Sequence, residues 1–267
     1  MPDVYATIAE ADAELQERLA DVLELRAVDP QQRAMRTDYT AALALPDGAE
    51  LLEVGCGTGA VTRHLARLPG VARAVGVDPS PLFVGRAREL AAGLPVEFAT
   101  GDGRALDFPD GRFDAVVFHT SLCHVPECER ALAEAHRVLR PGGLVAVFDG
   151  DYATTTFARD PRDPLQSCAD AVLEMLVHDP WLVRRLVPLL RAAGFADAEL
   201  RGHAYTSATG TDYFLALVDR GADALAASGT VTAELAAALK AEGRARYDAG
   251  TLFGHIAYAS AVARRPG

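Results

Sequence analysis

Three glycines at alternate positions, directly after a short apolar run, restrict the fold of this chain more than any other feature. Residues 51–54 (LLEV) run straight into Gly55, Gly57 and Gly59, and a segment with helical periodicity follows. Glycine reaches backbone conformations that are closed to other residues, so the chain can turn sharply here and leave bare main chain facing a ligand. A strand, a tight turn and a helix in this order predict one unit of a parallel α/β sheet.

Short apolar runs bounded by Gly, Pro or Asp recur through the middle of the chain. They predict strands at residues 50–54, 73–77, 96–100, 113–119 and 143–149. Helical stretches separate these strands at residues 59–68, 80–90 and 127–139. The alternation predicts an α/β fold with a doubly wound, mostly parallel, Rossmann-like sheet.

Helical segments flank this region on both sides. Amphipathic periodicity and an Asp-Pro start predict helices at residues 8–25 and 30–43, so that residues 1–47 form a helical cap. Residues 48–267 form the main domain, which divides into halves at 48–150 and 151–267. In the second half we expect a helical insertion at 165–177, 180–193, 212–227 and 232–249, and strands at 196–205 and 252–263 that bring the sheet to seven strands.

The charge balance disfavours one large class of partner. The chain has 37 acidic and 26 basic residues, and its formal charge of −11 opposes binding to a nucleic-acid backbone. Its four cysteines are too sparse for a disulfide scaffold, and we recognise neither a signal peptide nor an apolar run that could span a membrane. We therefore expect a cytoplasmic protein without nucleic-acid or membrane partners, and the sequence leaves its oligomeric state open.

Carboxylates stand where a nucleotide-like ligand would meet the sheet. Glu53, at the strand tip before the glycines, would repel a pyrophosphate and attract a cation. Asp78 follows the next strand, where a carboxylate can accept hydrogen bonds from both hydroxyls of a ribose. Asp102 lies in a Gly-Asp-Gly turn that could face an adenine edge. The glycines also match the dinucleotide fingerprint GxGxxA, so they do not by themselves separate NAD from other adenosine ligands.

Several of these segments resemble the motifs of one known family. They resemble the class I S-adenosylmethionine-dependent methyltransferases, in particular the group that includes the ubiquinone and menaquinone methyltransferases. The similar segments are residues 51–59, 75–80, 101–103, 113–117 and 134–143. The resemblance covers about residues 49–150 and implies S-adenosylmethionine as cofactor, bound by the half at 48–150, with the half at 151–267 shaping the acceptor site.

Carried over residue by residue, the resemblance implies a cofactor site along the strand ends. Glu53 and the glycines would face the methionine moiety, Asp78 the ribose, and Asp102 the adenine. The complete predicted set of cofactor-binding residues is Arg33, Glu53, Gly55, Gly57, Thr58, Gly59, Asp78, Pro79, Ser80, Asp102, Gly103 and His119.

The resemblance also implies roles at the edge of this site. His119, at the tip of the fourth strand, would lie beside the sulfonium. The family often holds the methionine carboxylate through its N-terminal cap, where Arg33 and Arg36 with Tyr39 are the candidates. His119 and His124 are the predicted catalytic bases, since both follow a strand whose carboxyl end should open on the cleft.

Methyl transfer from a sulfonium needs mainly alignment and exclusion of water, so few catalytic residues are required. An acidic nucleophile such as a phenol or enol calls for a base, for which His178 and His255 are further candidates, whereas a carboxylate needs none. We expect a small apolar or neutral acceptor such as a quinone-like ring. Cys123 and Cys128 are interpreted as small buried side chains, and no metal site is predicted.

Other functions are compatible with the same patterns. The chain could bind S-adenosylmethionine without transferring its methyl group, for example to assist a rearrangement. It could be an NAD-dependent oxidoreductase, which Glu53 and the absence of a recognisable Tyr-x-x-x-Lys pair disfavour. A non-enzymatic binding module would require the apolar face of the cap to stay exposed.

Overall fold

A single seven-stranded sheet organises the molecule. The computed structural model describes residues 3–175 and 177–267. The strands are β1 (Ala49–Val54), β2 (Val71–Asp78), β3 (Val96–Thr100), β4 (Phe113–His119), β5 (Leu139–Thr156), β6 (Ala196–Ser207) and β7 (Gly254–Arg264). They lie in the order β3-β2-β1-β4-β5-β7-β6. Strands β1 to β5 are parallel, whereas β7 is antiparallel to both β5 and β6. The predicted seven-stranded, mostly parallel α/β sheet is confirmed.

Helices cover both faces of this sheet. They are α1 (Ala13–Val28), α2 (Pro30–Ala41), α3 (Ala60–Leu65), α4 (Pro81–Leu90), α5 (Cys128–Val138), α6 (Gln166–Met175), α7 (Leu186–Ala192), α8 (Asp212–Ala227) and α9 (Ala233–Asp248). The central strands β1, β4 and β5 consist largely of buried apolar residues, as parallel strands covered on both faces require. No helix in the described part of the chain is both long and apolar enough to cross a bilayer.

Strand β5 continues well past its predicted end at residue 149. The prediction stopped there because the apolar run ends, but β7 pairs with the continuation, with Gly150 opposite Tyr258 and Asp151 opposite Ala257. An irregularity in the pairing follows before Thr156 meets His255. A long-range partner strand, and not local apolarity, therefore sets the length of β5.

Two predicted helices begin differently in the structure. The helix predicted from residue 8 is a short 3₁₀ turn at Ile8–Glu10, and α1 starts only after Asp12, whose carboxylate accepts the backbone N–H of Leu15 at 2.8 Å. The helix predicted at 180–193 is divided into a 3₁₀ turn at Leu182–Arg185 and α7. Pro188 explains this division, because proline fits the first turn of a helix and disrupts its interior.

The remaining helices lie close to their predicted positions. The helix predicted at 165–177 corresponds to α6, and residue 176 of that prediction lies outside the described residues. Helix α8 packs between α6 and α9 and also contacts α1. The N-terminal and C-terminal helices therefore meet beside the carboxyl ends of the strands.

Candidate functional site

A cavity of about 230 Å³ lies at the carboxyl ends of β1, β2 and β4. This edge is where ligands bind in open parallel sheets. One part of its lining comes from the strand ends and the turns that follow them, including Glu53, Asp78 and Gly103. The other part comes from the N-terminal segment, from α1 and α2, and from α8.

The glycine turn fits against the rest of the site because Gly55 and Gly57 carry no side chains. Gly55 has a φ of +73°, and a Cβ atom there would lie 2.5 Å from Cβ of Ser121. Gly57 has a φ of +52°, and its backbone N–H donates to Oδ2 of Asp78 at 2.8 Å. The turn and the carboxyl end of β2 are thus held together, and both line the cavity.

Asp78 and Glu53 are buried carboxyl groups in this part of the cavity. Asp78 accepts backbone N–H groups from Gly57 and Ser80, yet burial raises its pKa to about 6. Glu53 accepts a hydrogen bond from the hydroxyl of Thr62. Burial raises the pKa of Glu53 to about 8, although Thr62 and the Arg36 guanidinium act in the opposite direction. A cation bound beside Glu53 would favour its ionised form.

The turn after β3 brings Asp102 and Gly103, the residues predicted to face the adenine, to the cavity. The Asp102 carboxylate accepts hydrogen bonds from the backbone and the side chain of Arg104, at distances of 2.8–3.1 Å. These bonds lower the pKa of Asp102. A Cβ atom at Gly103 would lie 2.5 Å from Cγ1 of Val54, so only glycine lets this turn approach β1 so closely.

Of four further residues predicted to bind the cofactor, two line the cavity and two do not. Thr58 and Pro79 line the cavity. Ser80 instead caps α4: its hydroxyl accepts the N–H of Phe83 and donates to Gln16 at 2.6 Å, because an N-cap side chain must face the helix end. Gly59 begins α3 and packs against Phe98, not against the cavity.

His119 lines the cavity but is engaged in packing. Its Nδ1 atom lies 2.9 Å from the hydroxyl oxygen of Tyr39, and its ring stacks on Phe148 with the centroids 4.7 Å apart. Burial, together with the positive charges of Arg26 and Arg36, holds the pKa of His119 well below its usual range. His119 is therefore a neutral wall of the cavity.

The ring of His124 is held by two contacts with the N-terminal segment. Its Nδ1 atom lies 2.5 Å from Oδ2 of Asp3, and its ring contacts that of Tyr5, with the centroids 4.8 Å apart. Burial acts to raise the pKa of Asp3, but the interactions with His124 and the backbone N–H groups of Tyr5 and His178 together outweigh burial, and the pKa is lowered. His124 lines the cavity, and its Nε2 atom makes no hydrogen bond with any described residue. The other candidates, His178 and His255, lie outside the cavity lining.

Of the two arginines named as candidates for the methionine carboxylate, Arg36 lines the cavity and Arg33, which is in the predicted cofactor set, does not. Arg33 is exposed on α2, whereas Arg36, which lies about one helical turn further along, is buried and lines the cavity. Buried residues recur along α2 as Gln32, Met35, Arg36 and Tyr39, which is the helical spacing that could have selected Arg36. Arg26 of α1 also lines the cavity, and the sequence reasoning missed it.

Helix α8 supplies a face of the cavity that the sequence analysis did not identify. Tyr213, Leu217 and Arg220 line it, and their spacing of four and then three residues places them on one side of the helix. The sequence spacing shows that the three side chains share one face of α8. It does not show which part of the protein that face contacts, because α8 is far from the strand ends along the chain. Cys123 and Cys128, by contrast, are buried as interpreted from the sequence.

Comparison with known proteins agrees with this architecture. Residues 52–147 match a family model described as a methyltransferase domain. The chain is 30% identical over 220 residues to the 2-phytyl-1,4-naphtoquinone methyltransferase of Synechococcus elongatus, an alignment that covers 74% of this chain and 91% of the relative. The chain belongs to the class I S-adenosylmethionine-dependent methyltransferase family. The cofactor of this family is S-adenosylmethionine.

Two other relatives match over a smaller part of their own length. The 2-methyl-6-phytyl-1,4-hydroquinone methyltransferase of Synechocystis is 37% identical over 155 residues, which are 55% of this chain and 46% of that protein. An uncharacterized protein of a Streptomyces fradiae transposon is 32% identical over 65% of this chain and 51% of its own length. The chain therefore spans about half of these two curated relatives.

Solved structures share the fold at low sequence identity. The [4+2]-cyclase SpnF superposes with a TM-score of 0.60 at 22% identity, covering 100% of this chain and 97% of that one. A Haemonchus contortus phosphoethanolamine N-methyltransferase in complex with S-adenosyl-L-methionine gives 0.56 at 17% identity, covering 88% of this chain and 53% of that one. These likenesses concern the methyltransferase fold only.

The cavity fits the family's cofactor on its own chemistry. The Nε atom of Arg36 and both polar side-chain atoms of Gln32 are buried without a hydrogen-bond partner in the described structure, and both residues line the cavity. Such groups cost free energy unless a ligand satisfies them. A carboxylate and an ammonium would meet complementary groups here, Arg36 for the first and Glu53 for the second.

Proposed function

We propose that this protein transfers the methyl group of S-adenosylmethionine to a small-molecule acceptor. The single observation that carries the proposal is that one cavity is lined both by a cofactor cradle, built by the glycine turn with Asp78, and by His124, whose Nδ1 atom is bonded to Asp3 and whose Nε2 atom bonds no described residue. The first is needed to bind the methyl donor, and the second can accept a proton from a nucleophile.

Different residues of the cavity bind different parts of the donor. Glu53 pairs with its ammonium group, and Asp78 accepts hydrogen bonds from its ribose hydroxyls. Asp102 and Gly103 form the edge that meets the adenine. Arg36 with Gln32 binds the carboxylate, in the role that the sequence assigned to Arg33. These assignments rest on the placement of all these side chains, except Arg33, along one cavity.

Catalysis then depends on alignment and on one proton. The donor supplies an electrophilic methyl group, and the protein holds an acceptor in line with it and excludes water. His119 contributes a neutral wall, since its ring stacks on Phe148 and its Nδ1 atom is bonded to Tyr39. His124 takes the proton of an acidic nucleophile on Nε2, and Asp3 fixes the tautomer through Nδ1.

The two ends of the chain complete the site. Residues 1–47 act as a lid that brings Arg26, Arg36 and Tyr5 to the cavity, while 48–150 hold the donor and 151–267 shape the acceptor pocket. Two curated relatives act on quinone-type rings by name, which supports a small cyclic acceptor. The formal charge of −11 supports a function without a nucleic-acid partner.

Calorimetric titration tests this function. S-adenosylmethionine and S-adenosylhomocysteine should bind the wild type, and Asp78→Ala should weaken both at least about a hundredfold. Asp107→Ala, which removes an exposed carboxylate outside the cavity, is the matched control and should bind like the wild type. If neither sulfur ligand binds at millimolar concentration, or NADH binds in their place, the proposal fails.

A second candidate function is use of the bound cofactor without methyl transfer. The similarity of the fold to SpnF, which is named a [4+2]-cyclase, favours this candidate. Turnover separates the two functions. A methyltransferase releases one S-adenosylhomocysteine for each product, whereas a cofactor-assisted rearrangement yields an isomer of its substrate with no release. Mass spectrometry of both the cofactor and the acceptor after incubation distinguishes these outcomes.

A further inference from the structure

The cavity has a surplus of positive charge away from its carboxylates. Its acidic lining residues are Glu53, Asp78 and Asp102, all at the strand ends. Its arginines are Arg26, Arg36, Arg104 and Arg220. Arg104 pairs with Asp102, but no carboxylate oxygen of the described residues lies within 4.0 Å of the other three guanidinium groups. In a chain with a formal charge of −11, three unpaired arginines around one cavity indicate anionic ligands.

The donor accounts for only one of these arginines. Its carboxylate can pair with Arg36, but its ammonium and sulfonium are themselves positive and can be balanced by Glu53 and by dipoles. Arg26 donates to the hydroxyl of Thr120 and lies 5.9 Å from the ring centroid of Tyr213, so it has neutral partners only. With the donor bound, the cavity therefore still holds unpaired positive charge.

Arg220 is the arginine placed to meet a second ligand. It is half-buried on α8, on the same face as Tyr213 and Leu217. Its guanidinium lies 5.7 Å from the ring centroid of Tyr5, and Tyr5 in turn contacts His124. Arg220, Tyr5 and His124 thus follow one another along the wall that continues from the proposed base.

We propose that the methyl acceptor is bound as an organic anion, a carboxylate or an ionised ring hydroxyl, that pairs with Arg220. This inference rests on the proposed function and names the substrate class of the same site. It replaces the apolar or neutral acceptor expected from composition. Tyr5 and Tyr213 flank the anion with rings and hydroxyls, and Leu217 contacts its apolar part.

The proton and the electrons balance for both kinds of anion. A carboxylate attacks as it is bound, whereas a hydroxyl first gives its proton to Nε2 of His124, from which the proton passes to solvent. A bond then forms between the nucleophile and the methyl carbon, the sulfur–methyl bond breaks, and the sulfur keeps the electron pair as a neutral thioether. Arg220 stays charged throughout and holds the anion in position.

The test uses the complex of the full chain with S-adenosylhomocysteine and three ring compounds of matched size: benzoate, 4-nitrophenolate and benzamide. We expect at least one anion to bind at millimolar concentration, about tenfold or more tighter than neutral benzamide. Benzoate alone identifies a carboxylate acceptor, and 4-nitrophenolate alone identifies an ionised hydroxyl. Either result supports the proposal.

Three variants show whether Arg220 carries this preference. Arg220→Gln should abolish the preference for the anion, Arg220→Lys should restore part of it, and Arg191→Gln, which removes an exposed arginine of α7, should leave it unchanged. Affinity for S-adenosylhomocysteine should be the same in all three. The thermal midpoint of Arg220→Gln should change little, because the guanidinium forms no ion pair with a described residue and its contact with the Tyr5 ring is a weak cation–π interaction.

The proposal is overturned if benzamide binds as tightly as both anions, if neither anion binds, or if Arg220→Gln binds the anion like the wild type. Failure to bind S-adenosylhomocysteine is a different result and overturns the proposed function. Titration of benzoate and 4-nitrophenolate into the free protein would then still report on Arg220.

Discussion

The hydroxyl oxygen of Tyr39 and Nδ1 of His119 share a buried hydrogen bond of 2.9 Å. The bond joins α2 to the tip of β4, and the Phe148 ring stacks on both side chains. Burial also holds the pKa of His119 well below its usual range. The His119 ring, which the sequence predicts to be a catalytic base, is therefore part of the packing between α2 and the sheet. The bond ties the N-terminal helices to the sheet.

Tyr39→Phe should therefore affect stability more than proton transfer. The substitution leaves Nδ1 of His119 buried without its partner, which costs about 1–3 kcal/mol of unfolding free energy. Urea unfolding measures this loss. Tyr247→Phe is the control, since that hydroxyl bonds Asp212 at the surface, and it should cost less. Equal stability of Tyr39→Phe and the wild type would show that the bond contributes nothing.

His124→Gln should lower kcat by about a hundredfold or more for an acceptor that must lose a proton. Asp3→Asn should lower kcat as well, because the amide no longer fixes the tautomer that leaves Nε2 free. Stopped assays of S-adenosylhomocysteine release provide the rates. His255→Gln, outside the cavity, is the control. An acceptor that reacts as a carboxylate should be insensitive to His124→Gln, which separates the two chemistries.

The glycine turn should tolerate no side chain at its first position. Gly55→Ala adds a Cβ atom 2.5 Å from Cβ of Ser121 and forces alanine to a φ of +73°. We expect a loss of about 1–3 kcal/mol in stability and weaker binding of S-adenosylhomocysteine. Gly85→Ala is the matched control, because Gly85 lies inside α4 with open space around it and alanine favours helix. Comparable thermal midpoints for the two variants would contradict the expectation.

The sequence predicts the parts of this site that are local in the chain. Glu53 lies near the end of β1, Gly55 and Gly57 follow that strand, and Asp78 ends β2. The parallel order of the strands is enough to bring them together. The sequence analysis did not identify Asp3 and Arg220, because neither is close in the chain to the strand ends. Only the packing of α8 and the N-terminal segment against the cavity gives them a role.

The sequence predicts the helix that carries Arg33 and Arg36 but does not show which of the two faces the cavity. Both lie on a correctly predicted helix, and their separation of three residues is too small to distinguish their faces without knowing which side is buried. Similarly, β5 extends beyond its apolar run because β7, more than a hundred residues away, pairs with it. Sequence reasoning thus succeeds for contacts within one βαβ unit and fails for contacts between distant segments.

Glu53 should make the free energy of unfolding fall as the pH rises. Its pKa is about 8 in the folded protein, above the ordinary value of 4.5, because the carboxyl group is buried. Between these two values the folded state keeps a proton that the unfolded state releases, so stability falls across that window, by up to about 1.4 kcal/mol per pH unit. Urea unfolding at a series of pH values measures this slope.

Glu53→Gln isolates this contribution, since the amide keeps the shape and the bond to Thr62 but has no charge to bury. The unfolding free energy of Glu53→Gln should fall less steeply between pH 4.5 and about pH 8. Other titrating groups, including Asp78, are common to both proteins and cancel in the difference. Parallel curves for the two proteins would mean that Glu53 does not titrate in this window.

The pair formed by Asp163 and Arg246 should stabilise the C-terminal half of the chain. Nη1 of Arg246 donates to both carboxylate oxygens of Asp163, at 2.9 and 2.7 Å, and both side chains are buried. Burial alone would raise the pKa of Asp163, but its hydrogen bonds, first of all that to Arg246, lower it to about 2. Asp163→Asn leaves the buried Arg246 guanidinium with Glu242 as its one remaining carboxylate partner among the described residues, and should cost about 1.5–3 kcal/mol in unfolding free energy.

The pH dependence of this pair has the opposite sign to that of Glu53. Because the folded pKa lies below the ordinary value of 3.8, the pair contributes fully above that value and is lost as the pH falls towards about 2. Wild type should therefore lose its advantage over Asp163→Asn in acid. Asp223→Asn, which breaks the exposed pair with Lys240, should change stability by less than about 1 kcal/mol at any pH. A constant gap between wild type and Asp163→Asn down to pH 2 would mean that cavity or packing changes, and not the ion pair, cause the loss.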